Sequence, residues 1–213
     1  MSPSPNVSQM PVEVVVFDLD GVLRHFDRAA EAALEERHCL PRGELIEAAF
    51  GDHLGHDLVC GRIGWAEFVE RLADRIGAEA AMDFASLQSA VLDPVAMALV
   101  AELRAGLVPV ALLTNGTHRT EEELAGHGID EAFDHVFNTA RLGVAKPMPE
   151  VYELVTARLE VRATAVAFID DRAANVLAAE SHGWRAHRYE TVGGMRTWLQ
   201  ELGLPVAPVT SGP

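Results

Sequence analysis

Lysine is the scarcest charged residue: a single one, Lys146, stands against sixteen arginines. Where composition favours arginine so strongly, a surviving lysine marks a place for a compact ammonium, since a planar guanidinium does not replace it in a tight site. Cysteine is nearly absent, with Cys39 and Cys60 the two present. That excludes a disulfide framework and fits free thiols in a reducing compartment, here expected to be cytoplasmic. Neither has a base nearby in sequence that would mark a nucleophile. Positive charge is short, and 17 Lys+Arg against 32 Asp+Glu leave a formal net charge of −15. Such a balance argues against nucleic acid, whose binding needs a basic footprint. No apolar run approaches the roughly 18 residues of a membrane span. Met1 to Gln9 is Ser/Pro-rich with neither a basic end nor an apolar stretch, so it does not read as a secretory signal. Internal repeats, a dinucleotide fingerprint and a P-loop are all missing. The expected partner is a small molecule, and oligomeric state stays open.

What is present starts at Val12-Glu13-Val14-Val15-Val16-Phe17-Asp18-Leu19-Asp20. An apolar, β-branched run of this kind predicts a strand buried on both faces of a parallel sheet. Asp18 and Asp20, two apart, share one side of its end, and Gly21 allows a sharp turn. A stretch of helical periodicity follows. Asp27 caps a helix through His38, Pro41 and Gly43 open another, and Trp65, Phe68, Val69, Leu72 and Ile76 form an apolar stripe closed by Gly77. Glu79 to Ala90 predicts a further helix.

From Asp93-Pro94 the rhythm changes to alternating helix and strand. Asp93 fits an N-cap, Pro94 the first helical position and Gly106 the far end. Strands are expected at 108–113, 135–138, 164–169 and 184–189. Thr120 and Glu123 have capping-box spacing for the helix between the first two. Alternation predicts parallel strands with right-handed crossovers.

Polar groups gather at the ends of these strands or in their loops: Asp18 and Asp20, Thr114 and Asn115, Lys146, then Asp170 and Asp171. In a parallel sheet such ends converge on one edge. The residue types match phosphoryl transfer through an aspartyl intermediate. Asp18 is the candidate nucleophile and Asp20 the acid–base partner. Thr114, Asn115 and Lys146 are the candidate phosphate-binding groups. Four carboxylates and a phosphate facing one lysine call for a hard cation. Two like charges about 4 Å apart cost about 4 kcal/mol at an effective dielectric of 20. Mg²⁺ suits oxygen ligands. It is expected on Asp18, on Asp20 through its backbone carbonyl, and on Asp171 with or without Asp170.

The four motifs, Phe17-Asp18-Leu19-Asp20-Gly21-Val22, Leu113-Thr114-Asn115-Gly116, Lys146-Pro147 and Phe168-Ile169-Asp170-Asp171, occur in one order. In that order the chain resembles the haloacid dehalogenase-like (HAD) hydrolase superfamily, over roughly Val12 to Leu202. The resemblance implies an α/β fold, a Rossmann-like parallel sheet flanked by helices, with a small inserted all-helical cap. The core is then 12–24 and 93–204, the cap 25–92, and the tails 1–11 (disordered) and 205–213. The Asp-Asp and Lys-Pro contexts look most like the branch holding sugar-phosphate phosphatases and the phosphatase-like domain of soluble epoxide hydrolase. The implied activity is Mg²⁺-dependent hydrolysis of a small phosphorylated metabolite. A phosphomutase and a non-catalytic phospho-ligand-binding module are the alternatives. Asp20 argues against dehalogenation, because a leaving halide needs no proton.

Other residues carry less. Arg24, His25 and His118 lie near the motifs and are candidates for substrate contact. His53 and His56 have metal-site spacing but no third ligand, so a solvated helix is the better account. Glu121 to Glu123 read as acids complementing a helix N-terminus. Trp65 and Phe68 read as cap core.

Overall fold

A computed structural model describes residues 11–87 and 90–208. The chain leaves its first strand, β1 (Val14–Phe17), through a short β2 (Arg24–Phe26). Five helices follow: α1 (Arg28–Arg37), α2 (Glu44–Phe50), α3 (His53–Val59), α4 (Trp65–Ile76) and α5 (Ala78–Ser86). It returns along β3 (Ala90–Leu92) to α6 (Pro94–Ala105), β4 (Val110–Thr114), α7 (Thr120–Gly126) and β5 (His135–Asn138). The remainder is α8 (Thr139–Leu142), α9 (Pro149–Leu159), β6 (Val166–Asp170), α10 (Ala173–Ser181), β7 (Arg185–Arg188) and α11 (Val192–Glu201).

The main sheet has the order β5-β4-β1-β6-β7, and its pairings are parallel. This is a Rossmann-like α/β fold. Strand alternation divides the core into two layers. Val15, Phe17, Val110, Leu112, Ala167 and Ile169 face one way, onto Leu99 and Leu103 of α6 and Met195 and Leu199 of α11. Val14, Val16, Ala111, Leu113, Val166 and Phe168 face the other way, onto Val151, Tyr152 and Val155 of α9. Each buried Val, Leu, Ile, Phe or Met among them contributes about 1.5–3 kcal/mol. The strand order reverses between β1 and β6. In open α/β sheets that reversal opens the crevice where ligands bind.

The helices α1 to α5 close a separate apolar cluster. Phe68, Leu72 and Ile76 from α4 meet Leu45 and Ala49 from α2 and Leu54 and Leu58 from α3. The stripe read from the sequence supplies this contact face. The helices join the sheet through a ribbon, in which Arg24, His25 and Phe26 pair antiparallel with Leu92, Val91 and Ala90.

Several local expectations are corrected. The helix expected from Glu79 to Ala90 ends at Ser86, and Ala90 belongs to a strand. Its residues favour a helix locally, but pairing with β2 decides the conformation. The helix read for His53 and His56 is present as residues 53–59; Asp52 caps it, accepting from the Leu54 N–H at 2.9 Å. Thr120 is not an N-cap. Its Oγ1 accepts from the Thr117 N–H at 2.9 Å, and Arg119 precedes the helix without a side-chain cap. The stretch read as a tail from Pro205 starts on the core: Val206 is buried, and the Ala207 N–H donates to Glu102 Oε2 at 3.0 Å. The rest of that stretch from 209, like the expected N-terminal tail up to residue 10, lies outside the described residues. Among the described residues no helix is long and apolar enough to cross a membrane.

Candidate active site

β1 and β6 run side by side, with Phe17 in register with Ile169, and the Asp18 N–H donates to the Ile169 carbonyl at 2.9 Å. Asp18 and Asp170 therefore end neighbouring strands. Lys146 enters between them. Its Nζ lies 2.8 Å from Asp18 Oδ1 and 2.7 Å from Asp170 Oδ2, and donates to the Leu113 carbonyl at 2.8 Å. Three donors meet three acceptors, which is the full capacity of an ammonium. All three charged side chains are buried.

The surroundings fix this arrangement. Asp18 Oδ1 also accepts the Leu19 N–H at 2.8 Å. Asp170 Oδ1 accepts the Arg172 N–H at 2.8 Å, and Asn175 Nδ2 lies 3.0 Å from both Asp170 oxygens. Asn175 is held in turn by Tyr152, whose hydroxyl donates to its carbonyl at 2.9 Å. Asn115, expected to bind phosphate, borders the cavity above these groups, and its side chain also holds the Lys146 backbone. Its Oδ1 accepts the Lys146 N–H and its Nδ2 donates to the Lys146 carbonyl, both at 2.9 Å. A carboxamide paired twice with one backbone unit positions Lys146. Thr114 ends β4, is buried, and borders the same cavity.

Gly21 has φ +92°, in the region that favours glycine. A Cβ there would stand 2.5 Å from Asp171 Oδ2, so only a glycine lets the two motifs approach. Asp171 Oδ1 is buried without a hydrogen-bond partner among the described residues. Asp18, Asp170 and Asp171 each bring a carboxylate oxygen within 4.8 Å of the others. An orphaned buried carboxylate oxygen is costly and calls for a positive ligand. This donor set, all hard oxygens, fits a divalent cation such as Mg²⁺.

Electrostatics agrees. Burial pushes the Asp18 carboxyl up to about 8; Lys146 opposes that shift and Asp170 adds to it. Burial, then Asp170, also raises Asp171. Burial works against the Lys146 ammonium, but Asp18 and Asp170 hold its pKa above the usual value. One lysine does not neutralise the acids.

Asp18, Thr114, Lys146 and Asp171 floor a cavity of about 1150 Å³ that reaches the inserted helices, with Asp170 beneath it. Asp20 lines it, with its carboxylate on Arg24. Phe50, His56, Trp65 and Phe84 border it from the helical side. Trp65 is thus more than cluster filling, and the Arg119 guanidinium lies 4.7 Å from its ring centroid. The two layers also meet where Thr139 Oγ1 donates to the Val59 carbonyl at 2.7 Å. His25 borders the cavity. His118 is not among its lining residues. His53 and His56 gather no third ligand; among the described residues the one cluster of three potential metal ligands is the aspartate set.

Sequence reading missed Asn175 and the second use of Glu123. Asn175 follows Asp170 by five residues, in the first turns of α10, and an amide at that spacing was the available signal. Glu123 takes Arg24 Nη1 at 3.0 Å, a long-range pairing that no local pattern reveals.

A parallel sheet whose strand ends hold an aspartate pair, a buried lysine and a second acidic pair defines a class of hydrolases. Residues 12–183 match the model of the haloacid dehalogenase-like hydrolase family, and the chain belongs to that family. It is 30% identical over 199 residues to a phosphatase of Mycobacterium tuberculosis, covering 88% of this chain and 91% of that one. It is 32% identical over 111 residues to an (S)-2-haloacid dehalogenase of a Pseudomonas strain, a match spanning 52% of this chain and 47% of the dehalogenase. Among solved structures it resembles a HAD family enzyme of Bacteroides thetaiotaomicron crystallised with magnesium and inorganic phosphate. That likeness has a TM-score of 0.70 at 22% identity, over 84% of this chain and 94% of that one.

Proposed function

We propose that this chain is a Mg²⁺-dependent phosphatase that hydrolyses a small phosphorylated metabolite by way of an aspartyl phosphate on Asp18. The observation that carries the reading is the Lys146 ammonium seated between Asp18 and Asp170 at the floor of the cavity. A buried cation there serves a phosphoryl group better than it serves the fold. Burying ion pairs contributes little to stability, whereas a fixed positive charge beside a reacting phosphate stabilises developing charge.

Asp18 attacks phosphorus, and the bond from phosphorus to the ester oxygen breaks. Asp20 gives its proton to that oxygen, so an alcohol departs. Water then attacks the phosphorus of the acyl phosphate and surrenders a proton to Asp20, which frees Asp18 and inorganic phosphate. Lys146 balances charge on the phosphoryl oxygens, and Thr114 with neighbouring backbone amides orients them. Asn115 and Asn175 hold Lys146 and Asp170 in place. Asp18, Asp170 and Asp171, with the Asp20 carbonyl, would hold Mg²⁺, which supplies charge neutralisation for the phosphate and the carboxylates. A cavity bordered by both the sheet edge and the inserted helices favours a metabolite over a protein surface. The presence of Asp20 supports ester hydrolysis over halide displacement.

The test is phosphate release from a panel of phosphorylated metabolites and a chromogenic aryl phosphate, with Mg²⁺ and after chelation. Turnover that depends on Mg²⁺ and disappears in Asp18→Asn is expected. Inactivity on the whole panel, or activity indifferent to complete chelation, would remove the proposal.

A further inference from the structure

We propose that Arg24 is a positioning residue for departure of the leaving group: it sets the place and plane of the Asp20 carboxylate. The inference rests on Asp20 being the acid of the reaction above.

Arg24 is 5% exposed, and its guanidinium makes three contacts with acids. Nε donates to Asp20 Oδ1 at 2.6 Å, Nη2 to Asp20 Oδ2 at 3.1 Å, and Nη1 to Glu123 Oε2 at 3.0 Å. A fork on both oxygens of one carboxylate fixes its direction as well as its distance. The fork holds the Asp20 carboxylate in the plane of the guanidinium, and the Glu123 contact holds the guanidinium itself.

The backbone makes the same connection. The Gly21 N–H donates to the Arg24 carbonyl at 2.7 Å, and the Arg24 N–H to the Leu19 carbonyl at 2.8 Å, so the loop bearing Asp20 closes on Arg24. Arg24 is also the first residue of β2, paired with Leu92. Glu123 belongs to α7, beside the sheet. The acid is thus aimed from two directions: from the ribbon leading to the inserted helices, and from a core helix. The Phe26 ring, 5.5 Å from the guanidinium carbon, adds a further contact.

A residue acting through the acid matters only when the departing oxygen needs a proton. Phenol, with a pKa of about 10 like a tyrosine side chain, needs one far more than the acidic p-nitrophenol does. The experiment measures kcat/KM for phenyl phosphate and p-nitrophenyl phosphate in the Mg²⁺-loaded wild type, Arg24→Met, Arg24→Lys, Glu123→Gln and Asp20→Asn. Arg24→Met is expected to lose about 10²-fold on phenyl phosphate, the low end for general-acid catalysis, and about threefold or less on p-nitrophenyl phosphate. Arg24→Lys should recover part of the loss. Glu123→Gln should show a smaller loss with the same preference, and it carries the test if Arg24→Met does not fold. In the Asp20→Asn background, Arg24→Met should add nothing.

Equal losses on the two esters would assign Arg24 to the fold alone and overturn the proposal, as would unchanged kinetics. If Asp20→Asn separates the esters and the Arg24 and Glu123 variants do not, only the positioning role falls. If Asp20→Asn does not separate them either, the acid assignment fails and takes the positioning role with it.

Discussion

Lys146→Arg keeps the charge and should still disable the protein. The lysine side chain is 1% exposed, and its Nζ has three acceptors at 2.7–2.8 Å. The Phe168 ring stands 5.5 Å away. A guanidinium adds heavy atoms in the narrow gap between two carboxylates and beside the Phe168 ring, which costs about 1–3 kcal/mol. No single guanidinium nitrogen carries three hydrogens, so at least one charge-assisted hydrogen bond is lost, at about 1.5–3 kcal/mol. Together these give a destabilisation of about 3–5 kcal/mol, allowing for overlap between them. At about 2–4 °C per kcal/mol for a chain of this size, Tm should fall by about 10 °C. Lys146→Met leaves two buried carboxylates unpaired and should cost about the same, 3–5 kcal/mol. Thermal unfolding by circular dichroism reads both variants, and phosphate release reads the chemistry, where about 10²–10³-fold is expected for losing a preorganised donor. An arginine variant that melts within about 2 °C of the wild type would refute the steric and hydrogen-bond reasoning. So would one that turns over nearly as fast.

Gly21→Ala combines a positive φ, at about 1–3 kcal/mol, with a methyl pressed on Asp171. A Mg²⁺ titration of activity should shift to higher concentration, and an unshifted curve would contradict the close approach. Asp171→Asn removes the charge on the orphaned oxygen and should weaken Mg²⁺ binding about tenfold or more by calorimetry, with the fold retained. The pH dependence has a definite sign. Asp18 binds its proton more tightly folded than unfolded, with a pKa of about 8 against 3.8. Its contribution to stability is therefore full at low pH and is lost as pH rises through that interval. Unfolding in a chelator should show stability declining from about pH 4 to about pH 8, and Mg²⁺ should flatten the decline. A metal-free protein that gains stability over that range through Asp18 would reverse the argument.

Much of the layered core was legible because each strand end announced itself. Val14 to Phe17 is β-branched and apolar up to the point where Asp18 begins, and Val166 to Ile169 does the same before Asp170. Asp93-Pro94 and Gly106 delimited α6 by local chemistry alone. What escaped was decided across distance. The strand at Ala90 exists because β2 lies beside it. Nothing local told that Asn115 would hold the Lys146 backbone 31 residues on. Arg24 stood near the first motif in sequence, but its reach to Glu123 spans 99 residues. Tertiary partners redirect polar side chains after local rules have set their neighbourhood, so the acids and the lysine were easier to find than the amides that steady them.

The antiparallel ribbon places Phe26 directly opposite Ala90. Chain exit and re-entry are thus one strand spacing apart, about 5 Å, the separation an ordinary hairpin bridges. Everything between them could be exchanged for a tight turn, or for another set of helices, without moving a residue of the sheet. Such a plan lets a lineage change what it admits while keeping the chemistry beneath unaltered, as a camera body accepts different lenses.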